Sequence, residues 1–306
     1  MENSKLHQIK DVRQSEGWGK FLVWAGWLCE RTKNNILVCS RQSPFGRLAK
    51  VQRPLNITKK DLKQIDQICK ENKCSVLKLE PSLGQNLRVL EDAGYLKSFR
   101  PLLPPATIII DLNKSEDDLW KDISKSGKYS IRRAQREGTL TKAYKKPSAK
   151  IIKEFISLTN ETKKDRKFVG APLNDIKEKV KYFGDNTYIL IVKDKDGNNL
   201  VANMYVSHQN TVWFLHGGTS TKARKTKAGY ELVWQSFLYF KKEGLDFLDL
   251  EGIDDERFPA FTKTWGQFSH FKERFSKERT LFPAPYVKIY NPLIKLMTKL
   301  RRKNIL

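Results

Sequence analysis

The sequence predicts an α/β protein of two domains, each built on a mixed sheet. Three observations carry this. A chain of 306 residues suits two domains of about 150 residues that each bury a core. Short apolar runs of strand type, such as Ile108-Ile109-Ile110 and Tyr188-Ile189-Leu190-Ile191-Val192, alternate with longer amphipathic segments. After residue 145 the alternation restarts with a second series of helices and strands.

In the first half, strands are expected at Asn35 to Cys39, Arg47 to Gln52, Ser75 to Glu80 and Ala106 to Leu112. Thr58 to Asn72 reads as a helix. Thr58 is its N-cap, Asp61 stands three residues on as in a capping box, and Leu62, Ile65, Ile68 and Cys69 share one face. Ser115, followed by Asp118, opens another helix with Leu119, Trp120 and Ile123 as its buried stripe, and a basic helix from Lys125 stops at Gly138. The second half gives helices Ser148 to Lys164 and Pro172 to Phe183. Strands Thr187 to Lys193, Leu200 to Ser207 and Thr211 to His216 follow, with a turn at Asp196-Gly197-Asn198-Asn199. A long helix from Arg224 to Glu243, ended by Gly244, leads into a strand at Phe247 to Leu250. Lys288 to Arg302 reads as a terminal amphipathic helix that packs on a domain with its basic tip open to a partner; lying on an anionic membrane or meeting RNA are the alternatives. Helices, a meander, a helix and a further strand are the plan of an acyl-CoA N-acyltransferase (GNAT-type) domain. The first half repeats that plan loosely, so the fold class is α/β with two GNAT-like domains and mixed sheets.

Charge narrows the partners. Fifty-eight Lys and Arg against 34 Asp and Glu give a net charge of +24, a field that concentrates polyanions at the surface. The four cysteines, Cys29, Cys39, Cys69 and Cys74, form no CxxC pair and have no His at zinc-ligand spacing, so they read as reduced core thiols. There is no P-loop, GxGxxG, HExxH or GxSxG, and His7, His208, His216 and His270 are scattered. Neither a metal site nor a hydrolase triad is expected. In a GNAT domain the pyrophosphate of acyl-CoA rests on a glycine-rich loop before the long helix. Here residues 221–229 hold one glycine among long side chains, so no cofactor is expected. The first 17 residues lack a signal-type apolar stretch and no run of ~20 apolar residues occurs. The expected location is cytoplasmic, with peripheral contact at the inner membrane face allowed for.

Several segments resemble one family in order along the chain. They are Arg13-Gln14-Ser15 with Gly17-Trp18-Gly19-Lys20; residues 106–112; Ser130-Ile131-Arg132-Arg133 with Gly138; Asp165-Arg166; residues 213–218; Asp249-Leu250-Glu251-Gly252-Ile253; and Phe271-Lys272-Glu273-Arg274-Phe275. The chain resembles the Fem-type (FemX and FemAB) peptidoglycan bridge-forming aminoacyltransferases over nearly its whole length. The resemblance implies two GNAT-like domains and transfer of an aminoacyl group from aminoacyl-tRNA to the stem-peptide amine of a peptidoglycan precursor, either UDP-MurNAc-pentapeptide or its lipid-linked form; the alternatives are a GNAT-type N-acyltransferase that uses an acyl-CoA donor on another amine and a non-catalytic RNA-binding protein. An enzyme holding two polyanions suits a basic chain. The long helical hairpin that some family members use for tRNA is missing, which fits the compact FemX-like form.

The resemblance also assigns roles. Lys272 matches the family's lysine near the reacting centre, where a fixed cation stabilises developing charge. Lys20 and Arg166 match positions that hold the precursor's phosphates, suited to a point charge and a bidentate fork. His216 stands where the family often has a tyrosine that contacts the precursor, Phe271 precedes the lysine, and Asp111 is a further candidate to accept a bond from substrate. Lys125, Lys128, Arg132, Arg133 and Arg136 are the candidate tRNA contacts. Read alone, each of these cations fits a solvated face as well, Asp111 fits a turn carboxylate, and Trp213 and Phe214 fit the core. The expected domains are residues 1–145 plus 285–306, binding the precursor, and residues 146–284. A monomer is expected.

Overall fold

A computed structural model describes residues 5–44, 46–166 and 172–300; at residues 165, 166, 173, 224 and 297–300 it describes the backbone alone. The chain divides into two α/β units. The first comprises Met1–Ala106, Gly252–Trp265 and Leu281–Leu306, the second Thr107–Glu251 and Gly266–Thr280.

In the first unit, helix Glu16–Trp24 is capped by Ser15, whose side chain accepts from the Trp18 N–H. Strands β1 (Leu28–Arg31), β2 (Leu37–Ser43) and β3 (Gly46–Gln52) then form an antiparallel meander. Helix Lys59–Glu71 follows with the full Thr58–Asp61 capping box. It provides the crossover that lets β4 (Cys74–Glu80) lie parallel to β3. Leu62, Ile65 and Cys69 of that helix meet Val38, Ala49, Val51, Leu77 and Leu79 in the core. A short strand β5 (Leu96–Lys97) completes the local chain.

The second unit repeats the plan. Strand β6 (Ile109–Asp111) leads to helices Glu116–Asp122 and Lys125–Arg136, strand β7 (Leu140–Lys145) and helices Ala149–Arg166 and Leu173–Phe183. Then β8 (Thr187–Lys193), β9 (Asn199–His208) and β10 (Thr211–Thr219) make a second antiparallel meander. Helix Ala228–Lys242 crosses over and β11 (Phe247–Asp249) lies parallel to β10. The last strand, β12 (Tyr286–Ile289), belongs to the first unit. The sheet orders are β1-β2-β3-β4-β12-β5 and β6-β11-β10-β9-β8-β7. Each sheet thus has a three-strand meander, one parallel neighbour reached through a helix, and an antiparallel strand beyond it. Both units are GNAT-like, and both sheets are mixed.

Four expectations change. The passage between units falls at residues 106 and 107 instead of 145, because β6 pairs with β11 and β7 with β8, which commits residues 109–145 to the second sheet. The long helix is broken: Lys227 adopts φ +59° and separates Ala223–Thr226 from Ala228–Lys242. Lys288 lies in β12, which is hydrogen-bonded between β4 and β5, so the terminal helix starts only at Pro292. Residues 301 and 302 of that expected helix lie outside the described residues. Finally, two of the four cysteines are bridged. Cys29 and Cys39 stand directly opposite each other in the β1–β2 register with Cα atoms 4.1 Å apart and form a disulfide, whereas Cys69 and Cys74 are free and buried.

Candidate active site

Strand β11 is buried along its length and ends in a turn that the sequence specifies closely. The Asp249 carboxylate, itself buried, accepts the Thr107 hydroxyl and, at 2.7 Å, the Glu251 N–H. The Leu250 N–H donates to the Ile108 carbonyl at 2.9 Å. Held this way, Glu251 takes φ +60°, a conformation that costs a non-glycine residue about 1 to 3 kcal/mol. Its carbonyl thereby accepts a hydrogen bond from Lys272 Nζ at 3.0 Å.

Lys272 closes the helix Gly266–Lys272 and is 9% exposed. Its ammonium lies 5.1 Å from the centre of the Phe268 ring and 5.7 Å from that of Phe214, a residue of β10. Burial lowers its pKa from 10.5 to about 8, against the upward pull of Glu251 and Asp249. At neutral pH the group is a cation close to its titration point, walled by two aromatic rings. Such a group can stabilise an oxyanion and can release or accept a proton.

Strand β10 serves two sites because of a bulge. Met204 pairs with His216 and Tyr205 with Phe214, leaving Leu215 as the extra residue. On one side of it Phe214 reaches Lys272; on the other, His216 meets Lys179, a residue of helix Leu173–Phe183. Lys179 Nζ lies 3.2 Å from His216 Nε2. An ammonium has only donors, so Nε2 is the acceptor of a neutral ring. Burial, then the charges of Lys179 and Lys163, push the His216 pKa down to about 3. No sequence signal singled out Lys179, because its partner lies 37 residues away on a different element. Nearby, Gly218 lets β10 lie close against helix Ala149–Arg166: a Cβ there would stand 2.6 Å from the Thr159 nitrogen.

The other candidates fall in distinct places. Phe271 turns its ring into an aromatic cluster, 4.8 Å from Tyr230 and 5.5 Å from Phe275, beside Lys272 in sequence. Asp111 is corrected out of this site. Register puts Ile109 opposite Asp249 and Asp111 opposite Phe247, at the other end of β11, and the Asp111 carboxylate accepts the Asn113 N–H at 2.9 Å, a turn role. Lys20 belongs to the first unit, on helix Glu16–Trp24, exposed and 2.7 Å from Glu16. Arg166 ends helix Ala149–Arg166, and its side chain lies outside the described residues.

The basic helix Lys125–Arg136 buries Gly127, Ser130, Ile131 and Ala134 and turns Lys125, Arg132 and Arg136 outward. Lys128 donates to the Lys121 carbonyl at 3.1 Å, Arg133 pairs with Glu137 at 2.8 Å, and Arg132 lies 5.3 Å over Trp120. Two features missed in the sequence enrich this face. Tyr129 is 59% exposed among the cations. Arg274 donates to Ser126 Oγ at 2.5 Å, which adds a cation beside the first turn. Among the described residues, no group of three His, Cys, Asp or Glu is placed to hold a metal ion, and no helix is long and apolar enough to cross a membrane.

The fold is two GNAT-like units with mixed sheets, and the buried Lys272 of the second lies against the turn that follows its parallel strand β11. No family model and no curated protein matches the sequence. Solved structures do. The crystal structure of FemX aligns with a TM-score of 0.81 at 14% identity, covering 97% of this chain and 98% of that one. The C-terminal domain of a putative lysylphosphatidylglycerol synthetase from Agrobacterium fabrum gives 0.65 at 12% identity, covering 98% and 93%. L-PGS from Bacillus licheniformis gives 0.61 at 15% identity, covering 93% and 91%. The fold is therefore the one these proteins have, and the resemblance to the Fem type read from the motifs extends to the architecture of both units.

Proposed function

We propose that this protein is an aminoacyltransferase that moves an amino acid from aminoacyl-tRNA to the stem-peptide amine of a peptidoglycan precursor. The observation that carries the reading is Lys272, a buried ammonium fixed on the Glu251 carbonyl at 3.0 Å in a fold shared with FemX. The amine nitrogen attacks the ester carbonyl carbon. Negative charge gathers on the carbonyl oxygen, then on the ribose oxygen as the C–O bond breaks, while the amine loses a proton and the ribose oxygen gains one. Lys272 stabilises that charge, and its pKa of about 8 suits it to supply the ribose oxygen's proton and recover one from the amine. Lys20 and Arg166 hold the precursor's phosphates. Lys125, Arg132 and Arg136, with Tyr129 between them, meet the tRNA.

The test is incubation with radiolabelled aminoacyl-tRNA and either UDP-MurNAc-pentapeptide or its lipid-linked form. Label is expected in a precursor, and its absence from both across a panel of charged tRNAs would sink the reading. One of the similar structures is the C-terminal domain of a putative lysylphosphatidylglycerol synthetase and another is L-PGS, so phosphatidylglycerol vesicles belong in the assay. Label in the lipid alone would keep the donor and replace the acceptor.

A further inference from the structure

The first sheet carries a second cationic arrangement that the transfer chemistry leaves unused. Ala49, Val51, Leu77 and Leu79 face its apolar core. Alternation puts Lys50 and Lys78 on the opposite face, and the parallel register of β3 and β4 sets them directly side by side. Both are half-buried. Lys50 Nζ sits 4.3 Å over the Trp27 ring, and Lys78 Nζ donates to the Arg100 carbonyl at 2.5 Å. Leu48, next along the same face, is 40% exposed.

The carboxylates nearby are already engaged. Glu80 Oε1 accepts the N–H groups of Leu102 and Leu103, each at 2.7 Å, and its Oε2 accepts Gln52 Nε2 at 3.3 Å. Asp11 is shared by Arg13 and Arg53. Lys50 feels the attraction of Glu80 and the repulsion of Arg13; Lys78 feels Glu80 and Arg100 in the same way. Burial lowers the pKa of both lysines, so each ammonium on these neighbouring strands has lost hydration that the committed carboxylates do not fully replace. A ligand with two negative charges would offset the lost hydration of both and the opposing charges of Arg13 and Arg100.

We propose that Lys50 and Lys78, walled by Trp27, form a binding site for a phosphate or diphosphate group. The site does not rest on the transfer reading, since both lysines lie in the first unit and Lys272 in the second. The group's source is either a soluble phosphate compound or a lipid headgroup, and the two are separable.

Calorimetry with inorganic pyrophosphate and flotation with phosphatidylcholine vesicles, with and without phosphatidate, test the proposal on the full chain. Lys50→Gln and Lys78→Gln are each expected to weaken pyrophosphate binding at least tenfold, with Leu48→Ala unchanged. Pyrophosphate binding without flotation supports a soluble source. Flotation that needs both phosphatidate and the two lysines supports a headgroup. Circular dichroism checks that each variant folds, and if one does not, the other lysine variant decides the matter. Equal pyrophosphate affinity in wild type and the lysine variants, or no binding of pyrophosphate or phosphatidate by the wild type, overturns the site. Either result leaves the label-transfer assay to judge the transfer reading separately.

Discussion

Lys50 of the first unit is half-buried and Lys272 of the second is buried, and burial lowers both to about 8. Their surroundings differ. Lys272 is fixed by the Glu251 carbonyl, with Asp249 and Glu251 both favouring its charge. Lys50 has an indole beneath it, one committed carboxylate in range and an arginine opposing it. The same shift therefore has two meanings. A cation that the protein itself has anchored is ready for charge that appears during a reaction, whereas a cation set beside a second cation is matched to a charge that arrives with a ligand.

The largest effect should come from removing the anchored cation. Lys272→Ala is expected to lower the rate of transfer by about 10²- to 10³-fold, the range for loss of one charge-stabilising group, with tRNA affinity little changed in filter binding. In the wild type the rate should fall as pH rises through about 8, where Lys272 gives up its proton. An intact rate in the variant, or a rate that climbs steadily through that pH, would remove Lys272 from the chemistry and make the two lysines alike.

A smaller effect tests the frame around Lys50. Cys39 is the register partner of Lys50, and its bridge to Cys29 ties the edge strand β1 to β2 across a separation of 10 residues. A bridge closing so short a loop stabilises by about 2 to 3 kcal/mol. A reducing agent should lower the melting temperature by several degrees in calorimetry, and Cys29→Ser should abolish that response.

Asp249→Asn comes next. The amide keeps an oxygen for the Glu251 N–H and removes a charge that raises the Lys272 pKa. The falling limb of the pH–rate profile should move to lower pH, and the rate at neutral pH should drop by about tenfold, equivalent to about 1.4 kcal/mol. An unmoved limb would show that Asp249 acts on the turn alone.

These environments were unequally legible in the sequence. The capping box at Thr58 and the strand at Thr187 to Lys193 could be read directly, because caps and apolar runs are local. Lys272 could be found because it lies in a motif. Lys50 and Lys78 could not, since 28 residues part them and only a parallel register joins them. Cys29 and Cys39 look like any two core thiols until the hairpin sets them opposite. Lys179 meets His216 only because the bulge at Leu215 re-aims the strand. Asp111 had a plausible residue type at a strand end, but strand direction decides which end, and β6 runs antiparallel to β11. The domain boundary was missed for a related reason: β7 follows the first set of helices in sequence yet pairs with β8.

The smallest expected effect runs opposite to the others. Without a bound anion, Lys50 is a half-buried charge, so Lys50→Met should stabilise the protein at pH 7. Its partial exposure limits the gain to about 1 kcal/mol, a rise of roughly 2 to 4 °C in melting temperature. The sign follows from proton linkage. Below about pH 8 Lys50 is protonated in both folded and unfolded chains, and the burial penalty is present in full. Between about 8 and the ordinary 10.5 the folded chain sheds the proton while the unfolded chain keeps it, so wild-type stability gains with pH through this group. The advantage of Lys50→Met should therefore shrink across that window. Pyrophosphate at saturating concentration should reverse the order of the two proteins at pH 7, because it stabilises the tighter-binding wild type more than the variant. A scan in which Lys50→Met is the less stable protein without any anion would mean that the fold already satisfies Lys50, and the contrast with Lys272 would disappear.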